Sequence, residues 1–227
     1  VSHSHFDDIA DRYDGSLPAH VVEHYLRKRT AFVLRFCPPG RGLDVGCGTG
    51  VLAERLADNG YEMTGLDPSA GMLDVMRKRT STVRAVLGSA TEMPLDDSSF
   101  DLALSVAVMH HIADPGAVRK TLAEMVRVVR PGGAVLIWDH NPRNPYWGSL
   151  MARVPQDTGE ERLVSEREMV AGLEAAGVHA IQTRSLGFVP DFVPPGALGA
   201  AAAIERAAEG VPGLRRYAAH NVILATR

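Results

Sequence analysis

From residue 41 onward, short apolar runs alternate with stretches in which apolar residues recur every three or four positions. Short runs suit strands buried in a sheet, and the wider spacing suits helices that lay one face on it. The pattern predicts a strand at 41–45 and a helix at 49–59 with Val51, Leu52 and Leu56 on one face and Gly60 as its stop. A second strand ends just before Asp67, and Ser69 stands where an N-cap belongs, ahead of the helix AGMLDVMRKR, whose basic last turn suits the helix dipole. Strands follow at 82–88, 100–108 and 134–139, with a helix at 117–129 between the last two. Such alternation predicts an α/β fold with a parallel sheet and crossover helices.

The tail changes character. A helix is expected at 165–177, a strand at 178–185, a helical insertion rich in Pro, Gly and Ala, and a final strand at 221–226. The two late strands can pair antiparallel at the sheet edge. Ahead of the sheet, the segment 18–36 puts Val22, Tyr25, Leu26, Val33 and Phe36 on one helical face, which predicts a helical cap. One domain is expected, with the cap at 1–40, the sheet core at 41–139 and the insertions and late strands at 140–227.

Bulk properties narrow the partners. A length of 227 residues suits one well-buried domain, and a formal charge of -3 provides no basic field for a nucleic-acid backbone or an anionic membrane. The two cysteines, Cys37 and Cys47, are too few for a disulfide scaffold or a four-thiolate zinc site and suit a reduced compartment. The opening VSHSHFDDIADRYD has no basic stretch followed by an apolar core, and GALGAAAAI at 196–204 is too short to span a bilayer. The expectation is a cytoplasmic protein, monomer or homodimer, without nucleic-acid or membrane partners.

LDVGCGTG at 43–50 carries the sharpest chemistry. Gly46, Gly48 and Gly50 let the backbone bend and approach a ligand, but position six of the dinucleotide fingerprint is Val51, so that motif fails at its last element. Asp44 at the strand end would repel a pyrophosphate and attract a cation. Asp67, at the end of the second strand, stands close to the spacing at which an acid accepts hydrogen bonds from ribose hydroxyls. The site calls for a nucleoside with a positive group and no phosphate, a description that S-adenosylmethionine meets.

These segments, with GLDPSAGML, GSATEMPLDDSSFD, SVAVMHHIADP, EMVRVVRPGGAVLI and the opening FDDIADRYD, resemble the class I S-adenosylmethionine-dependent methyltransferases. The resemblance implies a Rossmann-like seven-stranded sheet ordered 3-2-1-4-5-7-6, strand seven antiparallel, with helices on both faces. It implies that Asp44 and Gly46 hold the methionine end of the donor, that Gly48 lets the ribose approach and that Asp67 takes the ribose diol. Met72 and Leu73 resemble the apolar positions beside adenine, or else pack their helix on the sheet. In GSA at 88–90, Ser89 replaces the commoner aspartate before Ala90, leaving its hydroxyl or backbone for the adenine contact. Tyr13 resembles a lid over the methionine part, with Phe6 beside it.

The resemblance also implies the activity, an O-, N- or C-methylation that releases S-adenosylhomocysteine, and the small helical cap and mildly acidic chain point to a small, largely apolar acceptor of specialised metabolism. Cyclisation with the sulfonium used electrostatically and a cofactor-binding partner subunit are the competing readings. Ligands of open α/β sheets bind outside the carboxyl ends of strands, which puts His110 after the fourth strand and His140 after the fifth at the chemistry. His140 is expected as base or acceptor-positioning residue; His110 meets donor or acceptor, or merely packs; His111 faces its own helix. No metal is expected, since AVMHH ends the fourth strand without an acid. Arg27, Lys28 and Arg29 are read as a solvated helix face, or else as a clamp for an anionic substrate, and GFVPDFVPP at 187–195 as a pocket wall or a packed loop.

Overall fold

The computed structural model describes residues 3–112 and 114–227; the first two residues of the 1–40 segment, and Ala113 in the HHIADP stretch, lie outside the described residues. The strands are β1 (Arg41–Val45), β2 (Glu62–Asp67), β3 (Arg84–Leu87), β4 (Phe100–Val106), β5 (Val129–His140), β6 (Ala180–Leu186) and β7 (His220–Thr226). They form one sheet in the order β3-β2-β1-β4-β5-β7-β6. β7 runs antiparallel to both neighbours, while β1 to β5 pair parallel. The late hairpin-like pair therefore sits where the sequence placed it, at the sheet edge.

Side chains alternate across the sheet, and the period of two divides the core into two apolar layers. Val135 and Ile137 of β5 join one layer with α6 (Pro115–Val128) and α8 (Glu166–Ala175). Leu136 and Trp138 join the other, with α2 (Ala19–Phe36), α3 (Val51–Ala57) and α4 (Ala70–Arg79). Ser69 caps α4 by accepting from the Met72 N–H, and Asp114 caps α6 by accepting from the Ala117 N–H at 2.7 Å.

Most element ends fall within two residues of the pattern, and two of the departures have a visible backbone cause. β5 starts at Val129, because the RPGG segment is drawn into the strand; the register with β4 shifts between Phe100 and Leu102 and Gly132 takes a φ of 79°. β4 ends at Val106, because Ala107 adopts a φ of 58° and the chain then turns into the short α5 (Met109–Ile112). A left-handed non-glycine residue of this kind costs about 1 kcal/mol and recurs at functional sites.

The N-terminal segment closes over the carboxyl ends of β1 and β2. α1 (His3–Ile9) and the following 3-10 turn (Ala10–Gly15) are tied down by the acids of FDDIADRYD. Asp7 accepts from the Ser69 hydroxyl at 2.6 Å and the Gly71 N–H at 2.8 Å, and Asp14 accepts from the Thr49 hydroxyl at 2.6 Å and pairs with Arg79. Among the described residues no helix is long and apolar enough to cross a membrane.

Candidate active site

Two cavities of about 280 and 290 Å³ open at the carboxyl ends of the strands, under the N-terminal segment. Tyr13, Gly46, Gly48, Val106, Ala107 and His111 line both, so they are two lobes of one site. Asp67, Met72, Ser89 and Ala90 line the first lobe, and Asp44, His110 and His140 line the second. The ten residues singled out in the sequence therefore meet around one space. Leu73 does not: it is fully buried in the core beneath α4, where its packing role accounts for it.

The glycine turn shapes the first lobe. Gly46, Gly48 and Gly50 take φ values of 72°, 52° and 77°, a region that side chains with a Cβ disfavour. A Cβ on Gly48 would stand in open space, whereas one on Gly50 would lie 2.3 Å from Met76 Cγ. Gly48 thus leaves room for a ligand and Gly50 leaves room for the protein. Asp67 accepts from the Gly48 N–H at 2.8 Å and the Ser69 N–H at 2.9 Å, so the second acid is fixed by the turn that follows the first. Ser89 spends its hydroxyl on a local turn with Thr91, accepting from that residue's N–H at 3.2 Å. Cys47 fills a slot against Met76, and burial pushes its thiol well above the usual range.

Asp44 is 3% exposed and makes no hydrogen bond or ion pair among the described residues. Burial first, and then the Asp67 charge, push its carboxyl up to about 7. The guanidinium of Arg29 also lines the second lobe, its Nε buried and without a partner. No acid among the described residues lies within ion-pair distance of it, and burial lowers its proton affinity. The basic trio is thereby split by the 100° step of a helix, correcting the reading of one solvated face. Arg27 is exposed beside Glu23, Lys28 pairs with Glu205 at 2.7 Å, and Arg29 enters the cavity. A cation at the position four after Tyr25 and four before Val33, on the predicted apolar face, was the signal that could have found it.

Around the second lobe four histidines gather. The rings of His111, His110, His140 and Trp147 follow one another at 4.0, 3.9 and 3.5 Å between centroids, and His220 stands 5.4 Å from Trp147. His111 faces both lobes and meets Phe6 edge-on, so the expectation that it faces its own helix is corrected; the bend at Ala107 rotates α5 toward the cavity. Asp139 is fully buried and accepts four bonds: from the N–H groups of Val108, Met109 and His140 and from His110 Nδ1 at 3.0 Å. Burial pushes this carboxyl up, but the His110 ring and the backbone donors outweigh it and hold Asp139 below its ordinary value. Because Asp139 only accepts, His110 carries its proton on Nδ1 and keeps its Nε2 lone pair for the cavity.

Burial, together with neighbouring His110 and His220, holds His140 well below the ordinary histidine range. Asn141 and Asn144 are turn builders, donating to the carbonyls of Ala218 and Tyr217 at 2.8 Å each. Val189, Pro190 and Asp191 of GFVPDFVPP form a wall of the lobe, and Tyr25 donates to the Val189 carbonyl at 2.8 Å. Asp157 and Gln156, from a loop without periodicity in the sequence, also face the lobe.

Residues 43–137 match the family model described as a methyltransferase domain. A demethylmenaquinone methyltransferase of Renibacterium salmoninarum is 36% identical over 134 residues, 58% of this chain and 55% of the relative. An uncharacterized methyltransferase of Mycobacterium tuberculosis is 42% identical over 108 residues, 47% of this chain and 43% of the relative. Residues 43–137 are thus similar to a methyltransferase domain, the segment that carries the glycine turn and both of its acids. The chain spans about half the length of these curated relatives. The fold is shared along its whole length with a Thermotoga maritima structure described as an S-adenosylmethionine-dependent methyltransferase, possible histamine N-methyltransferase. The TM-score is 0.72 at 22% identity, covering 98% of each chain. The strand order, including the antiparallel β7, belongs to this shared fold, while the segment that matches the family model ends before His140 and Asp157.

Proposed function

We propose that this protein transfers a methyl group from S-adenosylmethionine to a small acceptor, with the first lobe holding the nucleoside and the second holding the methionine end and the acceptor. The observation that carries the reading is a carboxylate and a guanidinium, Asp44 and Arg29, that find no ion-pair partner among the described residues, in a cavity that Asp67 also lines. An unpaired buried charge is costly, so each needs an opposite charge from a ligand. An amino-acid head supplies both, its ammonium for Asp44 and its carboxylate for Arg29. Asp67 suits a ribose diol, and two carboxylates at the lobe disfavour a pyrophosphate. Gly48 leaves the space that a nucleoside requires, and Met72 with Ala90 offers apolar walls for its base.

S-adenosylmethionine supplies a methyl already activated on a sulfonium. The protein's work is therefore to hold the acceptor in line, exclude water and remove a proton where the acceptor carries one. Tyr13, lining both lobes, screens their junction from solvent. His110 Nε2, fixed by Asp139, is assigned as the proton acceptor, while His140, stacked between His110 and Trp147, is assigned as the wall that positions the acceptor.

Calorimetry with S-adenosylhomocysteine tests the donor assignment. Saturable one-to-one binding is expected, and Asp67→Ala is expected to weaken it by about 1–3 kcal/mol through lost charge-assisted hydrogen bonds. Tight uptake of a nicotinamide dinucleotide with no response to S-adenosylhomocysteine would overturn the reading.

A further inference from the structure

The second lobe is lined by buried polar atoms that find no hydrogen-bond partner in the protein, and its two best-defined ones, a carboxylate oxygen of Asp157 and Nε2 of His110, can only accept. Asp157 Oδ1, Gln156 Oε1, His111 Nδ1, His140 Nδ1 and His220 Nδ1 are all buried without a partner. The Asp157 side chain is 4% exposed, and its Oδ1 stands 3.9 Å from His110 Nε2, too far for a hydrogen bond and close enough for one small group to touch both. Carboxylate oxygens only accept, and Nε2 of His110 is an acceptor because Nδ1 donates to Asp139. Native interiors leave few such groups unmet, so a ligand that fills this lobe must arrive with donors.

We infer that the acceptor of this methyltransferase is a heteroatom nucleophile that enters bearing N–H or O–H protons, an amine or a hydroxyl and not a carbon acid, with its reacting head held between Asp157 and His110 Nε2. The inference rests on the proposed methyl transfer and adds the acceptor's chemistry to it. In the transfer, the acceptor's lone pair forms the bond to the methyl carbon and the electron pair of the carbon–sulfur bond remains on sulfur as the thioether. The acceptor's proton passes to His110 Nε2, and the imidazolium so formed lies between the carboxylates of Asp139 and Asp157. Burial holds the Asp157 carboxyl up at about 6, as befits an acid still lacking its counter-charge. A cationic amine therefore gains more from this lobe than a neutral alcohol does.

His110, His111 and Asp157 also offer three atoms within 4.8 Å of one another, a set that a metal ion would satisfy instead. Bonds of about 2.1 Å place tetrahedral ligand atoms roughly 3.4 Å apart, and the 3.9 Å between His110 and Asp157 is wider than that. Donor hydrogens at ordinary hydrogen-bond distance span the gap without moving either side chain.

The test uses the protein saturated with S-adenosylhomocysteine and three probes that share a phenyl ring and differ in their heads: 2-phenylethylamine, 2-phenylethanol and 3-phenylpropionate. The amine is expected to bind at least tenfold more tightly than the carboxylate, with the alcohol between them. Asp157→Asn is expected to cost the amine at least tenfold and the alcohol less, each measured with S-adenosylhomocysteine saturating. Preference for the carboxylate, no amine binding at millimolar concentration, or an amine affinity indifferent to Asp157→Asn would overturn the inference. So would one equivalent of zinc retained by the wild type and lost in Asp157→Asn. Failure of S-adenosylhomocysteine to bind at all would instead defeat the donor assignment, which keeps the two readings apart.

Discussion

The Gly46→Val protein is expected to keep its sheet and to lose measurable affinity for S-adenosylhomocysteine. Gly46 has a φ of 72°, and a Cβ there would lie 2.5 Å from Val108 Cγ2 and 3.0 Å from Val108 Cγ1. Such contacts force movement. Either Val108 swings away or the turn shifts, and both residues are walls of the lobe assigned to the nucleoside. The conformational cost of a β-branched residue in the left-handed region is about 1–2 kcal/mol, small beside the roughly 5–15 kcal/mol that holds a domain folded. Gly48→Ala separates strain from blockage, because its Cβ meets nothing within 4 Å and projects a methyl into the space left for the ligand. A milder loss of roughly tenfold is expected, in the range for overfilling a packed site by one carbon. Circular dichroism and urea midpoints check the fold, and calorimetry checks binding. Wild-type affinity in a folded Gly46→Val protein would mean that the donor does not use this turn.

The difference between what the sequence disclosed and what it hid follows from how each group is positioned. Asp44, Gly46 and Gly48 sit on one turn, and Asp67 is locked to it through the Gly48 N–H, so four cavity-lining groups are legible from local spacing. The parallel core was equally plain, since alternation of strand and helix follows from burying apolar faces on both sides of a sheet. Arg29 was hidden because three consecutive basic residues look alike in a line and diverge only when wound into a helix. His111 was hidden by Ala107, whose positive φ no residue preference announces. Asp157 was hidden most thoroughly: it lies on an aperiodic loop, and only the sheet's topology brings that loop beside α5. Local chemistry was readable, and chemistry assembled from distant segments was not.

The same buried groups predict a stability profile in which opposite titrations partly offset one another and the histidines prevail. Burial first, and then neighbouring charges, hold His111 and His220 down at about 3, against about 6.5 in an unfolded chain. Between pH 7 and pH 5 the unfolded chain therefore takes up protons that the folded protein refuses, and each of these two imidazoles costs about 2 kcal/mol of stability as the pH falls. His140 acts in the same direction. Asp44 and Asp157 act in the opposite direction: with folded values of about 7 and 6, they bind protons in the native state before the unfolded chain does, returning about 2 and about 1 kcal/mol over the same interval. Variants uncover the two halves. His220→Phe keeps a ring against Tyr25 and Trp147 and removes one titration, so it is expected to lose about 2 kcal/mol less than wild type between pH 7 and pH 5. Asp44→Asn removes the compensating uptake and is expected to lose about 2 kcal/mol more. Urea unfolding at the two pH values reads both, and the comparison of slopes cancels any constant destabilisation that the substitution brings. Parallel profiles for wild type and His220→Phe would show that this imidazole takes up its proton as readily in the folded protein as in the unfolded chain, which burial against Tyr25 and Trp147 is expected to prevent.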